Sequence, residues 1–256
     1  MSASFVDLRL GKVRLIASAE VADALRSPLE GGGLDALLAR ARASRDPYLV
    51  GRVSEMEAGG VEYILKREDP GALGRSRLLR EMRRAAALAT AGVACVVPAA
   101  WARQGRRACL LLPRIGDATS GLHLIKEGVW RALEPAARRA ALKAAAEAVA
   151  SLHDAGYAHR DLNPSNLLFE GAGGEDVRVL LLDVGGARRG GRGARASDLA
   201  RLWRSAREAA SRTDALRFLK AYLAALRGAG PLRTLLARID AAFERMRPHR
   251  SRDRSR

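Results

Sequence analysis

Residue types that often reveal a protein's setting are scarce in this chain of 256 residues. It has only two cysteines, Cys95 and Cys109, both in apolar stretches, and no Cys or His spacing typical of a metal site. We expect two buried, reduced thiols, which argues against a disulfide-stabilised secreted domain. Aromatic residues make up only 4% of the chain, and no aromatic-rich stretch of the kind that stacks on nucleic-acid bases is present.

Long apolar runs are missing as well. No stretch approaches the roughly 18 apolar residues of a membrane-spanning helix. The first residues, MSASFVDLRLGKVRLIASAE, contain no continuous apolar segment like that of a signal peptide. We therefore expect a cytoplasmic protein, whose contact with a membrane would be peripheral and from the cytoplasmic side.

Negative charge is in short supply. The chain has 45 Lys and Arg against 28 Asp and Glu, a net charge of +17. This surplus implies an anionic partner, namely phosphate groups, an acidic membrane face or, less favoured because aromatics are few, nucleic acid. Residues 246–256 are of low complexity and predict a basic disordered tail. Anionic lipid would attract such a tail, and a tail that stays in solution is the alternative.

Apolar periodicity divides the rest of the chain into two halves. YLVGRVSEM and VEYILKRE predict a hairpin, SRLLREMRRAAALATAG a helix, and VACVVPAAW and RRACLLLPRI two further strands. Residues 1–45 show no clear pattern, and GGGLDALLARA predicts a turn before a helix or strand. We predict a β-rich N-terminal lobe with one helix over residues 1–116.

The second half is mainly helical. EPAARRAALKAAAEAVASLH predicts a long helix with Pro135 in its first turn. NLLF and VRVLLLD predict short strands around the turn EGAGGED, and three helices follow from Ser197 onward. We predict a helical C-terminal lobe over residues 117–245, and an α+β fold overall.

The residues that indicate chemistry lie in HRDLNPSNLLF, residues 159–169, and in VLLLDVGG, residues 179–186. The first segment has the H-R-D-L-x-x-x-N spacing of a kinase catalytic loop. A chance match is disfavoured because the motif follows a long helix and precedes a hairpin that ends in Asp-Val-Gly. Phosphoryl transfer depends mainly on positioning and on positive charge around the phosphates, so the pattern predicts a kinase.

Each role in ATP-dependent phosphoryl transfer has a candidate in the expected order along the chain. Lys66, near the end of a strand, would bind the phosphates of ATP, and Glu81 on the next helix would hold Lys66 in place. Asp161 would be the catalytic base that orients the acceptor hydroxyl. Asn166 and Asp183 would bind Mg²⁺.

Neighbouring residues allow more than one interpretation. Glu81 has the alternative of a surface ion pair with an arginine one turn away on its helix. His159 is expected to brace the loop rather than to act as a base. Arg160 docks a phosphorylated loop in regulated protein kinases, but the segment after Asp183 is too short for that, and its role stays open.

These motifs resemble the protein-kinase-like superfamily and, within it, the lipopolysaccharide Kdo/heptose kinase family of Gram-negative bacteria. AHRDLNPSNLLF is similar to that family's catalytic loop, where Asn commonly replaces the Lys of protein kinases; here it is Asn163. SDLARLWRSAREAA resembles the helix after the metal-binding Asp. The resemblance covers about Tyr48 to Ala210. It implies a two-lobed kinase-like fold with a small C-terminal lobe, ATP and Mg²⁺ between the lobes, and a sugar hydroxyl of the lipopolysaccharide inner core as acceptor, Kdo rather than heptose.

The chain departs from protein kinases at two places. No G-x-G-x-x-G precedes Lys66, and the candidates for a nucleotide lid, around Ala41 to Asp46 or Gly31 to Gly33, fit the spacing poorly. There is also no A-P-E motif and no long activation segment, which argues against a protein acceptor because protein substrates need that platform.

A Gly-rich stretch after Asp183, VGGARRGGRGARA, contains four arginines. It predicts either a flexible cradle for an anionic glycolipid such as a lipid A–Kdo precursor, or an ordinary solvated loop; the arginines are Arg188, Arg189, Arg192 and Arg195. Three other functions stay open: a soluble small-molecule phosphotransferase of the aminoglycoside or metabolite type, an atypical Ser/Thr protein kinase, and a non-catalytic nucleotide-binding pseudokinase. The sequence does not specify the acceptor hydroxyl or the oligomeric state.

Overall fold

The computed structural model describes residues 5–44, 53–68 and 76–246. Its first part is built on one antiparallel sheet of seven strands in the order β1-β2-β6-β7-β5-β4-β3. Two helices accompany the sheet. The elements, in chain order, are β1 (Phe5–Leu10), β2 (Val13–Ser18), α1 (Ala19–Ala39), β3 (Arg42–Ala43), β4 (Val53–Ala58), β5 (Val61–Glu68), α2 (Arg77–Thr90), β6 (Ala100–Gln104) and β7 (Arg107–Pro113).

Helix α1 occupies a region in which no clear sequence pattern is present. It contains Pro28 and is kinked at Gly33, which has φ 64°. A Cβ at Gly33 would lie 2.7 Å from Oε1 of Gln104, and the Leu34 N–H donates to that same oxygen at 2.7 Å. Gly31 to Gly33 is therefore a helix kink packed on β6 and not a nucleotide lid.

Two predicted segments lie partly outside the described residues. The other lid candidate, Ala41 to Asp46, includes β3, and its residues 45 and 46 are not described. The predicted strand from Tyr48 is described only from Val53 onward, where β4 begins.

The predicted strand VACVVPAAW is wrong over most of its length. Strand β6 begins only at Ala100, because Pro98 has no N–H to give to a neighbouring strand. Before it, Cys95 forms a single parallel bridge with Leu181. The following strand, β7, is buried along most of its length, as its apolar run predicts.

The second part of the chain is helical with two small sheets, of order β11-β10-β8 and β12-β9. Its elements are β8 (Thr119–Ser120), α3 (Gly121–Lys126), α4 (Val129–Ala132), α5 (Pro135–Asp154), β9 (Tyr157–Ala158), β10 (Leu167–Glu170), β11 (Arg178–Leu181), β12 (Arg188–Arg189), α6 (Arg192–Ala206), α7 (Arg212–Ala225) and α8 (Leu232–Met246). Helix α5 lies at the centre of the largest core, where its small alanines allow α7 and β11 to pack closely.

The mixed architecture confirms the predicted α+β class. The predicted lobe boundary after residue 116 falls between β7 and β8 and stays a prediction. The predicted tail begins at Met246, the last residue of α8, and its residues 247–256 lie outside the described part of the chain. Within residues 5–44, 53–68 and 76–246, no helix combines the length and the apolar character needed to cross a membrane.

Candidate active site

The HRDLNPSN segment, residues 159–166, forms a compact loop between β9 and β10. Its backbone is fixed by its own amides, because Nδ2 of Asn166 and Nδ2 of Asn163 both donate to the carbonyl oxygen of Asp161, at 2.8 and 3.1 Å. Asn163 also accepts from the Ser165 N–H at 2.9 Å, which starts a short 3-10 turn over residues 164–166. The Asp161 side chain stays exposed, and no described residue bonds to its carboxylate. It is available to an incoming group.

Three charged side chains that are far apart in sequence meet at the cleft. Nζ of Lys66 lies 2.8 Å from Oε1 of Glu81 and 3.1 Å from Oδ1 of Asp183. Burial works to lower the pKa of Lys66, but the two carboxylates outweigh it and hold the pKa above its ordinary value. Glu81 is thus engaged with Lys66, and its alternative interpretation as a surface pair on its own helix is wrong.

Glu68 connects the strand that carries Lys66 to the helix that carries Glu81. Its carboxylate accepts from the Ser76 hydroxyl at 2.5 Å and from the Arg77 N–H at 2.7 Å, at the first turn of α2. The Ser76 hydroxyl in turn accepts from the Leu79 N–H at 3.1 Å, which makes Ser76 the N-cap. The end of β5 and the start of α2 are therefore held as one unit.

Gly185 sets how closely α2 approaches the turn after Asp183. A Cβ built on Gly185 would lie 2.8 Å from Cβ of Glu81 and 2.9 Å from its Cα. Real Cβ atoms do not come so close to other carbon atoms, so only glycine allows this contact. The close approach brings Glu81 to the side of the cleft where Asp183 lies.

A buried carboxylate lies beneath the catalytic loop. Both oxygens of Asp198, on α6, accept backbone hydrogen bonds: Oδ2 from the His159 N–H at 2.6 Å and Oδ1 from the Arg160 N–H at 2.8 Å. Oδ2 also lies 3.3 Å from Nε2 of His153, whose other ring nitrogen is 2.8 Å from the Tyr222 hydroxyl. Burial lowers the pKa of His153, so this ring is held neutral.

Sequence reasoning missed Asp198 as a site residue. The available signal was an acidic residue inside the apolar helical stretch SDLARLW, a place where a carboxylate needs partners. Arg160 has φ 73°, the left-handed conformation that turns its N–H toward Asp198. The His159 ring braces the loop as expected, with Nε2 2.8 Å from the Leu182 carbonyl oxygen.

The cleft beside these residues has a volume of about 320 Å³. Lys66, Asn166 and Asp183 line it together with other polar residues such as Glu55 and Arg114. Apolar side chains form the larger part of the remaining lining, among them Ile64, Val96, Leu112, Leu168 and Leu182. Asn166 uses its amide nitrogen on the loop, which leaves its oxygen, and Asp183 keeps one carboxylate oxygen beyond the one that contacts Lys66. The described residues contain no group of three or more His, Cys, Asp or Glu that is placed to hold a metal ion. Two oxygen donors suit Mg²⁺, which takes few protein ligands and fills its shell with water and phosphate oxygens.

Comparison with known proteins decides the family. The model of the lipopolysaccharide kinase (Kdo/WaaP) family matches residues 59–222, well over half of the chain. The chain belongs to this family. Among solved structures, a chain described as "WaaP in complex with acyl carrier protein" is 25% identical, with a TM-score of 0.60 over 86% of this chain and 95% of that one. No curated protein matches. The kinase family and the kinase-like fold that we expected from the sequence are confirmed.

In this lipopolysaccharide kinase, the four arginines after Asp183 do not lie in the flexible loop that the neighbouring glycines suggest. Arg188 and Arg189 form β12, paired with β9, and Arg192 and Arg195 lie in the first turns of α6, which begins five residues before the predicted Ser197. The pairing of β12 with β9 and the formation of helix α6 outweigh the glycines here. The Arg189 guanidinium carbon lies 5.9 Å from the ring centroid of Tyr157, close to the catalytic loop.

Proposed function

We propose that this member of the lipopolysaccharide kinase family transfers the γ-phosphoryl group of ATP to a hydroxyl of a Kdo residue in the lipopolysaccharide inner core. Heptose is the second candidate acceptor. The observation that carries the proposal is the meeting of Lys66, Glu81 and Asp183 at one cleft, with Asp161 exposed nearby. This arrangement suits phosphoryl transfer, which depends on positioned charge.

Lys66 would bind the α- and β-phosphates of ATP. Its ammonium is oriented by Glu81, and its raised pKa keeps it charged at neutral pH. The apolar lining of the cleft would receive the adenine. Asn166 and Asp183 would hold Mg²⁺, which when bound neutralises charge that develops on the phosphates.

Asp161 would orient the acceptor hydroxyl and accept its proton as the bond to phosphorus forms. The free carboxylate and the fixed backbone of the loop support this role, because a base must reach the acceptor without losing its position. Asp198 would act as a positioning residue through the backbone of His159 and Arg160.

Arg188 and Arg189 are the better candidates for contact with an anionic acceptor among the four arginines. Both are exposed on β12, beside the strand that leads into the catalytic loop. Replacing both with Gln should raise KM for the glycolipid several-fold more than KM for ATP, because the Coulomb attraction acts on the acceptor. The matched change at Arg192 and Arg195 should have the smaller effect.

The deciding experiment measures phosphate transfer from labelled ATP. The acceptors are a Kdo-bearing lipid A precursor, the same lipid extended with heptose, a panel of aminoglycosides and a basic protein, with Asp161→Asn as the inactive control. Transfer to the Kdo lipid supports the proposal. Transfer only to heptose, an aminoglycoside or the protein would replace it with that alternative, and none at all would favour a pseudokinase.

An acyl carrier protein is a candidate partner, since the similar WaaP chain is described in complex with one. A cavity of about 420 Å³ lies among the helices of the second half, lined almost wholly by apolar side chains such as Leu199, Phe218 and Ile239. We propose that an acyl chain on the carrier enters this cavity, where burial of its methylene groups would stabilise the complex.

This partner can be tested without kinase activity. An acylated carrier should bind at least about tenfold more tightly than the unacylated carrier, given about 0.8 kcal/mol for each buried methylene. Ala206→Phe, which narrows the cavity, should remove that difference, whereas Ala132→Phe on the exposed end of α4 should keep it. Equal binding of the two carrier forms would contradict the proposal.

A further inference from the structure

A second concavity, larger than the cleft, lies along the outer side of α2. It has a volume of about 1120 Å³ and lies between the β1–β2 hairpin, α2 and β6. We call it the α2 groove. Seven basic residues and a single acidic one line it: Arg9, Lys12, Arg14, Arg80, Arg83, Arg84, Arg103 and Asp7.

The one acid of the α2 groove is already neutralised. Asp7 receives two hydrogen bonds from Arg14, at 3.0 and 2.6 Å, and the bond from this guanidinium holds the pKa of Asp7 below its usual range. Across the described residues 5–44, 53–68 and 76–246, no carboxylate lies within ion-pair distance of Arg9, Lys12, Arg80 or Arg83. Within these described residues, no ion pair therefore compensates the charge of Arg9, Lys12, Arg80 and Arg83.

The outer face of helix α2 carries like charges that destabilise the helix. Its inner face buries Leu78, Met82 and Ala85, while Arg80 and Arg83 are exposed on the other side. Arg80 and Arg84 are four residues apart, and like charges at that spacing repel each other on a helix. A bound anion would relieve this repulsion. The placement of these arginines therefore favours an anionic partner.

The lining of the α2 groove indicates which anionic partner it fits. Its only aromatic residue, Trp101, is 1% exposed, and its indole N–H donates to the Ser76 hydroxyl, so it cannot stack on a nucleic-acid base. Leu8 and Leu79 are half-buried and offer no exposed apolar anchor of the kind found at protein interfaces. The volume exceeds that of ordinary small-molecule sites.

We infer that the α2 groove docks on an anionic phospholipid bilayer, with lipid phosphates entering between the arginines of α2 and the β1–β2 hairpin. Long arginine side chains suit this role, because each can reach a separate headgroup phosphate. The docking surface is distinct from the cleft, since Arg80 and Arg83 lie on the face of α2 away from Glu81. It does not depend on which acceptor the kinase uses.

The test is binding to vesicles, without ATP or acceptor. Vesicles of phosphatidylcholine alone are compared with vesicles containing one-third phosphatidylglycerol. The full chain should sediment with the anionic vesicles only, and less so as salt is added. Arg80→Glu with Arg83→Glu should weaken this binding at least about tenfold, given the contribution of each basic residue near an anionic surface.

The matched control is Arg139→Glu with Arg204→Glu, which makes the same change in net charge at exposed positions of α5 and α6. It should weaken binding less than about threefold, through the long-range field alone. The milder Arg80→Gln with Arg83→Gln guards against misfolding and should show an intermediate loss. Equal losses in the groove and control variants would overturn the inference. The inference would also be overturned if the groove variants lost binding to single-stranded DNA or to an acidic protein but kept their binding to vesicles.

Discussion

Replacing Gly185 with alanine adds one methyl group where the turn after Asp183 meets helix α2. The new Cβ would lie 2.8 Å from Cβ and 2.9 Å from Cα of Glu81, whereas carbon atoms in contact are about 3.5–4.0 Å apart. The helix or the turn must therefore move by about 1 Å. Such a shift would lengthen the 2.8 Å contact between Lys66 and Glu81 beyond the range of a hydrogen bond.

A misplacement of about 1 Å at a positioning element costs on the order of 10²-fold in rate. We therefore expect Gly185→Ala to lower kcat/KM for ATP about 10- to 100-fold, with a stability loss of about 1–3 kcal/mol from overpacking. The assays are steady-state transfer from labelled ATP and thermal unfolding of the same samples.

Gly186→Ala is a closely matched control. A Cβ at Gly186 would lie 3.9 Å from the nearest atom, the His159 carbonyl oxygen, which is ordinary contact. Neither glycine has a positive φ, so both variants reduce the entropy of the unfolded chain to a similar extent. Gly186→Ala should keep its activity within about twofold. The reasoning is refuted if Gly185→Ala transfers phosphate at the wild-type rate, or if both variants lose activity equally.

Four further changes test other residues of the site. Asp161→Asn should reduce single-turnover transfer by about 10²–10⁴-fold and leave the affinity for ATP largely unchanged; near wild-type turnover would contradict its role as base. Asp183→Ala should lose the Mg²⁺ dependence of nucleotide binding, measured by titration with and without the metal; an unchanged dependence would show that it is not a ligand. Asp198→Asn leaves one backbone N–H of the loop without an acceptor, so it should destabilise the fold by about 1–3 kcal/mol, measured by urea unfolding. It should also lower kcat more than it raises KM. An effect on stability alone would contradict a positioning role for Asp198. Burial lowers the pKa of His153, so at acidic pH the unfolded chain binds a proton that the folded chain does not. The free energy of unfolding should therefore fall as pH drops below about 6.5. His153→Gln should reduce this dependence on pH, and an unchanged dependence would rule out His153 as its source.

Local patterns were sufficient to predict several elements of the fold. Helix α5 begins at Pro135 and α2 is capped by Ser76, so both carry start signals as well as apolar periodicity. The two segments with kinase spacing also led to Lys66 and Asp183, whose side chains the structure brings together. Short-range chemistry specifies these features, and the sequence displays it directly.

Features that depend on distant contacts could not be predicted in the same way. Helix α1 contains Pro28 and three consecutive glycines, which disfavour a helix. Four of its leucines are buried against the sheet, and that packing outweighs propensity; they are Leu25, Leu29, Leu34 and Leu37. Asp198 is far along the chain from the loop it supports. The glycines near Arg192 suggested a loop, whereas the structure continues directly into α6.

The short connection from Asp183 to α6 has a consequence for control of the enzyme. The chain passes through β12 and reaches Arg192 with no room for an activation segment, and Lys66 and Glu81 are already in contact. With Asp198 holding the loop from below, the site is assembled without a modification that switches it on. We therefore expect the flux through this kinase to follow the supply of acceptor and ATP.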